Sequence, residues 1–583
     1  MKRNLFVRLS SSLLLLAGLV FASCSEDDAT GNGGNKIDDK TAVKDDASAL
    51  ALVNGVYAHW QPLSSSFAFI VELQSNKLIS FEGEENEAGP LNSRLEHGSD
   101  TWYQVKVFNH LLLSIAQDNE SITAIGKARA AGNVTEAGYN ASVGKAKFLR
   151  ALAYLKLVQL WGEVPLFTEE GGSSTERRPI ADVFAQIVRD FKDAESLLKD
   201  YNGDPLVPSK QAAQALLART YLVWGDNPLS QSEVAAIADG QTDPAFSKTD
   251  SLLQNAVTYA DKVISSGLLD LDPDYSKLWG REYESNKRGT NEHLFTIAHD
   301  GDEVDAQGNH QNHCAWTFPF QNGQHGHGFS QNHTVVADDD LYDDWKAEQP
   351  NDKRILKTYF TSIVDPQDGE TYTYYTPYYT PVNGKGVDQS YEDAENQEIL
   401  HNSVDRIEIR YAEVLLTKAE ALVQLGRNSE AATPFNKLRA RAGLATVDAP
   451  TFDQIKREWD YEFTYEQFSL FNSYRWKTLI ADLHKVAGYK HYADDWATKY
   501  PVQTSDQQAF WTKIHNHEVA KVRNVRGYHY RQPIPTGLSG EDLGIVLQNP
   551  GYGRPRTVAL SSPPSAMSNT SDRSRGSGVG RGI

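Results

Sequence analysis

The stretch GKAKFLRALAYLKLVQLW (144–161) is apolar on nearly every face of a helix. Such a helix has no side to give to water, so it is buried among other helices. That requirement selects a layered helical domain, and the chain repeats the device. The partner of 144–161 falls over about 180–199. Residues 209–224 (SKQAAQALLARTYLVW) pair with about 251–266, and 46–60 with about 102–117. Residues 406–425 put Ile407, Tyr411, Val414, Leu415 and Leu422 on one helical face, and Gly426 stops that helix. Ala431 and Phe435 follow on the next one. The Gly–Ala–Phe offsets, five and then four residues, match the helix-turn-helix unit of a tetratricopeptide repeat. Small Ala lets the paired helices approach, and Phe fills the gap behind it. Each pair needs a neighbour to bury its second face. The fold class expected is therefore mainly α: four tetratricopeptide-type helical pairs with a loop-rich, partly β subdomain inserted.

The insertion is the longest of three polar stretches, about 61–101, 270–400 and 480–530. Connections of that length are unusual unless they are functional or form a subdomain. The stretch 270–400 separates the third and fourth pairs and is rich in Gly, Asn, His, Asp and Tyr.

Charge and cysteine content exclude several classes. Lys plus Arg number 57 against 77 Asp plus Glu, a formal net charge of −20. A chain this acidic lacks the clustered cations that neutralise phosphates, so nucleic acid is not an expected partner. Two cysteines, Cys24 and Cys314, rule out a disulfide framework and Cys-rich zinc folds. No cofactor motif is present. His517-Glu518 begins an HExxH pattern, but Lys521 stands where the second His belongs. Asp270, Asp272 and Asp274 alternate as a calcium loop begins, but Tyr275 replaces the Gly and Arg281 the Glu. Nothing positive supports an enzyme.

Residues 1–23 read as a lipoprotein signal peptide. Lys2, Arg3 and Arg8 precede an apolar run from about Leu9 to Phe21, too short for the roughly 20 residues of a span. Ala22 and Ser23 then lead to Cys24, the expected lipidated residue. Residues 24–40 are Gly/Asn/Asp-rich and fit a flexible tether. The tail 553–583 is rich in Ser, Gly, Arg and Pro and is expected to be disordered.

The candidate site lies in the insertion. YTYYTPYY (372–379) carries Tyr372, Tyr374, Tyr375, Tyr378 and Tyr379, and its alternation hints at a strand or hairpin. Trp279 and Trp316 belong to the same insertion. Sugar recognition needs a ring for the apolar C–H face and amides or acids for the hydroxyls. The ligand-binding candidates are accordingly Trp279, Trp316, Tyr374, Tyr375 and Tyr378, with Asn312 among the amides. His310, His313, His325, His327 and His333 crowd around Cys314. Their spacing matches no ligand motif, so they are read as loop polarity or hydrogen-bonding groups and no metal site is assigned.

The stretches 146–167 (AKFLRALAYLKLVQLWGEVPLF), 177–198, 209–222 and 419–444 closely resemble the SusD/RagB family of outer-membrane nutrient-binding lipoproteins. So does REWDYEFTYEQFSLFNSYRW (457–476), where the family often has a Glu-rich helix ending in Arg-Trp. QPIP (532–535) and QNPGY (548–552) resemble its closing motifs. The resemblance implies a single SusD-like domain over 41–552 with a ligand-binding insertion at about 270–400. It implies a non-enzymatic, surface-exposed lipoprotein of the outer membrane that captures oligosaccharides. Its implied partner is a SusC-like, TonB-dependent transporter, and its hold on the membrane is the lipid anchor. By family position the loop 74–102, with Glu82, Glu84, Glu85 and Glu87, lies beside the ligand face, which adds Trp102 to the candidates. A non-glycan nutrient such as a peptide or glycoprotein is the main alternative, and a surface glycan hydrolase a lesser one. The Cys24→Ala variant is expected to leave the outer membrane for periplasm or medium. Membrane fractionation with palmitate labelling checks this; continued labelling of the variant would refute the anchor.

Overall fold

The computed structural model describes residues 43–80, 102–172, 176–279, 292–298, 335–337, 339–360, 362–364, 371–373, 382–385, 405–485, 524–535 and 548–552. Cys24, the tether and the tail lie outside these.

Helices dominate. The chain opens with α1 (Asp46–Asn54), α2 (Tyr57–Trp60) and α3 (Leu63–Leu73). The long α4 (Trp102–Ala130), α5 (Glu136–Trp161) and α6 (Ile180–Leu197) follow, then α7 (Lys210–Gly225), α8 (Gln231–Ile237) and α9 (Asp250–Ser265). The insertion contributes α10 (Asp339–Glu348) and α11 (Ile355–Thr358). The last group is α12 (Tyr411–Gln424), α13 (Asn428–Ala442), α14 (Phe452–Phe463), α15 (Ser469–Trp476) and α16 (Leu479–Lys485). Strands are short and form five two-stranded ribbons among the described residues. They are β1 (Leu78–Ser80), β2 (Val164–Pro165), β3 (Arg177–Arg178), β4 (His293–Ile297) and β5 (Val335–Ala337). The remaining five are β6 (Tyr359–Phe360), β7 (Ser362–Val364), β8 (Thr371–Thr373), β9 (Val382–Asn383) and β10 (Arg406–Arg410).

Helix α5 is the central element, as its all-round apolar sequence requires. Thr135 caps its first turn by accepting from the Gly138 amide at 3.0 Å. Phe148, Leu149, Leu152 and Leu155 are at most 1% exposed, each contributing about 1.5–3 kcal/mol by burial. Helix α5 lies between α4 and α6, and α6 passes contact on to α7, α7 to α9, and α9 to α12. The helix ends at Gly162 with φ 75°, where a side chain would collide with Arg531. There QPIP closes the fold. Gln532 donates its amide to the Leu160 carbonyl at 2.8 Å, and the Trp161 indole donates to the Pro533 carbonyl at 2.9 Å. Asn549 of QNPGY joins them, donating to the Trp161 and Gln532 carbonyls.

Three of the four expected pairs are present as α5–α6, α7–α9 and α12–α13. In the last, Gly426 takes φ 77°, and Ala431 and Phe435 are buried at 0% and 1%. The first pair is redrawn. Residues 46–60 break into α1 and α2, and α4 runs on to Ala130 with its largest contact on α5. The helix expected from 406 also begins late. Residues 406–410 read Arg-Ile-Glu-Ile-Arg, a two-residue alternation, and form β10 antiparallel to β4. Ile407 therefore belongs to a strand, and α12 starts at Tyr411.

Phe435→Ala empties a fully enclosed position between α12 and α13. The variant is expected to lose about 3–5 kcal/mol, read as a lower urea midpoint at unchanged slope.

Candidate functional site

Strand β1 pairs with β5 in the register Leu78↔Ala337, Ile79↔Val336 and Ser80↔Val335. Ser80 is the last described residue before 81–101, and Val335 the first after 299–334. The loop carrying Glu82 to Glu87 and the stretch carrying Asn312 and Trp316 therefore leave the frame from opposed residues of one ribbon. Strand β9 lies beside β5 and pairs with β6, Phe360 facing Val382. Strands β7 and β8 form a hairpin with Ile363 opposite Tyr372, so the Tyr cluster opens on a strand, and the rest of the strand or hairpin expected over 372–379 lies outside the described residues. The chain from β8 to β9 holds Tyr374, Tyr375 and Tyr378, and its far end thus returns next to β5.

Of the ring candidates, Trp279 is described with its side chain. It ends a turn of 3-10 helix (Tyr275–Trp279) and is 5% exposed. Its ring meets Tyr275 edge-on at 4.9 Å, and Lys385 Nζ and the Arg410 guanidinium stand 5.0 and 5.8 Å from its centre. That is a packing position under two cations. Trp102 is the first residue of α4. Trp316, Asn312, Tyr374, Tyr375, Tyr378 and the His310–His333 group with Cys314 lie outside the described residues.

What anchors this region is an ionic cluster for which sequence reasoning assigned no role. Glu458 and Glu462 share one face of α14, and Glu466 follows in the turn after it. Arg354 (0% exposed) pairs with Asp352 at 2.7 Å, Glu458 at 2.6 Å and Glu462 at 2.8 Å. Arg410 pairs with Glu292 at 2.8 Å, Glu462 at 2.6 Å and Glu466 at 2.8 Å. Arg441 pairs with Glu292 at 2.8 Å and also with Glu462. Burial alone would raise the Glu462 carboxyl, but Arg441, Arg410 and Arg354 hold it well below the usual carboxylate range. Arg354 and Asp352 lie between α10 and α11, and Glu292 and Arg410 flank β4 and β10, so the cluster ties both ends of the insertion to α13 and α14. Lys385, just after β9, adds bonds from Nζ to the Glu462 carbonyl and Glu466 Oε1, each 2.8 Å. Burial pushes that lysine down to about 8. A second cluster uses the Arg-Trp end of the 457–476 motif. Glu420 accepts from the Trp459 indole at 2.6 Å, the Trp476 indole at 2.9 Å and Arg475. The motif was legible as a resemblance; that its acids are spent on internal arginines was not, because those arginines come from three other segments.

Between the lead into β1 and helices α10, α14 and α15 lies a cleft of about 510 Å³. Asn76, Lys77, Asp344, Arg457, Asp460 and Trp476 line it, and its size falls in the range of small-ligand sites. Lys77 pairs with Asp460 across its wall at 2.9 Å. Among the described residues no group of three or more His, Cys, Asp or Glu is arranged to hold a metal.

A short turn links α14 to α15. Tyr465 and Gln467 both take φ 68°, a left-handed conformation that costs non-glycine residues roughly 1–3 kcal/mol each. Glu72 (2% exposed) holds the turn by accepting the Gln467 amide at 2.6 Å, and Arg406 donates to Gln467 Oε1 at 2.7 Å. Burial pushes the Glu72 carboxyl up to about 7, against the lowering effects of Ser469, the Gln467 amide, Lys77 and Lys385. A carboxyl raised on folding holds a proton that the unfolded chain releases, so its share of stability is present at low pH. That share fades as pH rises from the ordinary 4.5 through about 7. Glu72→Gln keeps the acceptor and cannot ionise. It is expected to be nearly neutral at pH 5 and stabilising by on the order of 2–3 kcal/mol at pH 8. Denaturant melts at the two pH values check this, and an unchanged pH slope would exclude Glu72 as the group.

Comparison with known proteins places this frame. Residues 270–552 match the profile of the SusD family, and residues 46–222 match one described as "Starch-binding associating with outer membrane". The SusD-like protein P2 of Formosa agariphila is 29% identical over 332 residues, covering 54% of this chain and 58% of the relative. The chain thus spans little more than half the length of that relative. A SusD homolog from Bacteroides thetaiotaomicron superposes with a TM-score of 0.69 at 19% identity, covering 89% of this chain and 99% of the other. Surface glycan-binding protein A from Bacteroides thetaiotaomicron, solved with laminarihexaose, gives 0.61 at 16%, covering 87% and 99%. At these identities the structural likeness is one of fold. The two profiles follow one another along the chain and together take in both the helical frame and the insertion: the chain belongs to the SusD/RagB family.

Proposed function

We propose that this chain is a surface lipoprotein of the outer membrane that captures oligosaccharides and passes them to a SusC-like, TonB-dependent transporter. The anchor in this reading is Cys24. The observation that carries it is the β1–β5 ribbon, which sends the 81–101 and 299–334 stretches out from paired residues, with the end of the Tyr stretch beside them. Convergence of that kind supplies the two things a neutral sugar needs. Trp316, Tyr374, Tyr375 and Tyr378 offer ring faces, and Asn312 with the acids of the neighbouring loop offers hydrogen bonds. The starch-binding description of the matching profile and the laminarihexaose bound to a protein of the same fold support this ligand class. Binding agrees with the state of the acids at the base of the insertion: Glu292, Glu458, Glu462 and Glu466 are all paired with arginines. Trp279 serves this site as packing beneath Lys385 rather than as a stacking surface.

A second reading, a peptide or glycoprotein nutrient, is favoured by one feature. The cleft beside the ribbon carries both signs of charge, Lys77 and Arg457 with Asp344 and Asp460.

Calorimetry with starch, xyloglucan and laminarin oligosaccharides is the test. At least one is expected to bind, and Trp316→Ala with Tyr375→Ala should weaken it by roughly tenfold to a hundredfold at unchanged melting temperature. Unchanged affinity would move the site to the 74–102 loop. A collapse in melting temperature would make the two rings core residues. Binding of peptides with no binding of glycans would favour the second reading.

A further inference from the structure

Away from the insertion, two histidines are set against each other on the helical frame. His59 on α2 and His110 on α4 are half-buried, with ring centres 5.8 Å apart and planes inclined at 51°. Two imidazoles that share one ion at about 2.0–2.1 Å per nitrogen place their centres roughly 5–6 Å apart. The helices that carry them are locked together. Trp60, next to His59 and 0% exposed, donates its indole N–H to Ser114 Oγ on α4 at 2.9 Å. His110 Nδ1 is buried and has no hydrogen-bond partner among the described residues. A neutral imidazole carries one donor and one acceptor nitrogen, so this ring keeps one position unused close to His59. Gln117, two turns along α4, hydrogen-bonds His59, the outer contact that usually orients a ligating ring.

We propose that His59 and His110 form a two-imidazole site for a divalent ion of the zinc–copper class. Imidazole suits those ions, whereas calcium and magnesium need oxygen ligands. The neighbouring cation Lys106 opposes any dication, so only an ion that gains from nitrogen ligation will stay. The neutral imidazole is the form that ligates. Burial lowers His59, and burial with His59 and Lys106 pushes His110 down to about 4. With two protein ligands among the described residues, solvent completes the ion's shell. That makes an exchangeable site, unlike the closed four-ligand sites that hold a fold together.

The test uses the full chain freed of any purification tag, stripped with chelator and titrated with zinc chloride by calorimetry. The expected result is that His59→Gln and His110→Gln each remove one zinc site, or weaken it by roughly tenfold or more. Zinc binding by the other 14 of the chain's 16 histidines is expected to stay unchanged. Zinc binding identical in wild type and both variants would overturn the proposal. Should a variant fail to fold, a wild-type crystal soaked in zinc decides. An anomalous peak between His59 and His110 supports the site, and its absence, or peaks only near His310 to His333, overturns it.

Discussion

Glu462 sits among three arginines, and the way the insertion is fastened to the helical frame depends on that contact. Arg354, Arg410 and Arg441 each pair with it, and each brings a different segment: the α10–α11 link, the end of β10, and α13. Taking these charges out of water is costly, and the attraction between them offsets that cost only while the geometry holds. Losing one partner would strand buried charge, at a cost of about 3–5 kcal/mol for a pair of this kind. The cluster is therefore less a source of net stability than a demand for one arrangement. It fixes where the insertion leaves the helical frame and where it returns.

The helical frame and the base of the insertion are built by different physics. The pairs α5–α6, α7–α9 and α12–α13 join elements close in sequence, with core contacts set by apolar periodicity and small connecting turns. The ribbon β1–β5 joins residue 80 to residue 335, and Arg410 reaches Glu292 across a long insertion. Closing such loops costs chain entropy that grows slowly with length, so distant pairing is permitted wherever strong contacts fasten the ends. Buried ion pairs and short strands do this here. The strained turn at Tyr465 and Gln467, held by Glu72 and Arg406, is another fastening of the same kind.

Helix α5, the Gly426 stop, and Ala431 with Phe435 were all determined by sequence, because each rests on spacing within a few turns of one helix. The Glu-rich stretch ending in Arg475-Trp476 was legible only as a family motif, and the structure divides it between α14 and α15. Tertiary structure alone decided the rest. Residues 406–410 became a strand because β4 offered an edge that local helix periodicity does not see. Trp279, a ring in a polar insertion, was drawn under Lys385 and Arg410, since composition cannot tell a ring that faces solvent from one that fills a gap. The acids of α14 acquired their role from arginines and a glutamate supplied by four other segments, and the stretches 81–101 and 299–334 acquired a common ribbon at one end, Ser80 opposite Val335. Periodicity is a property of neighbours along the chain, whereas charge pairing and strand register are settled between segments that meet only once the chain has folded.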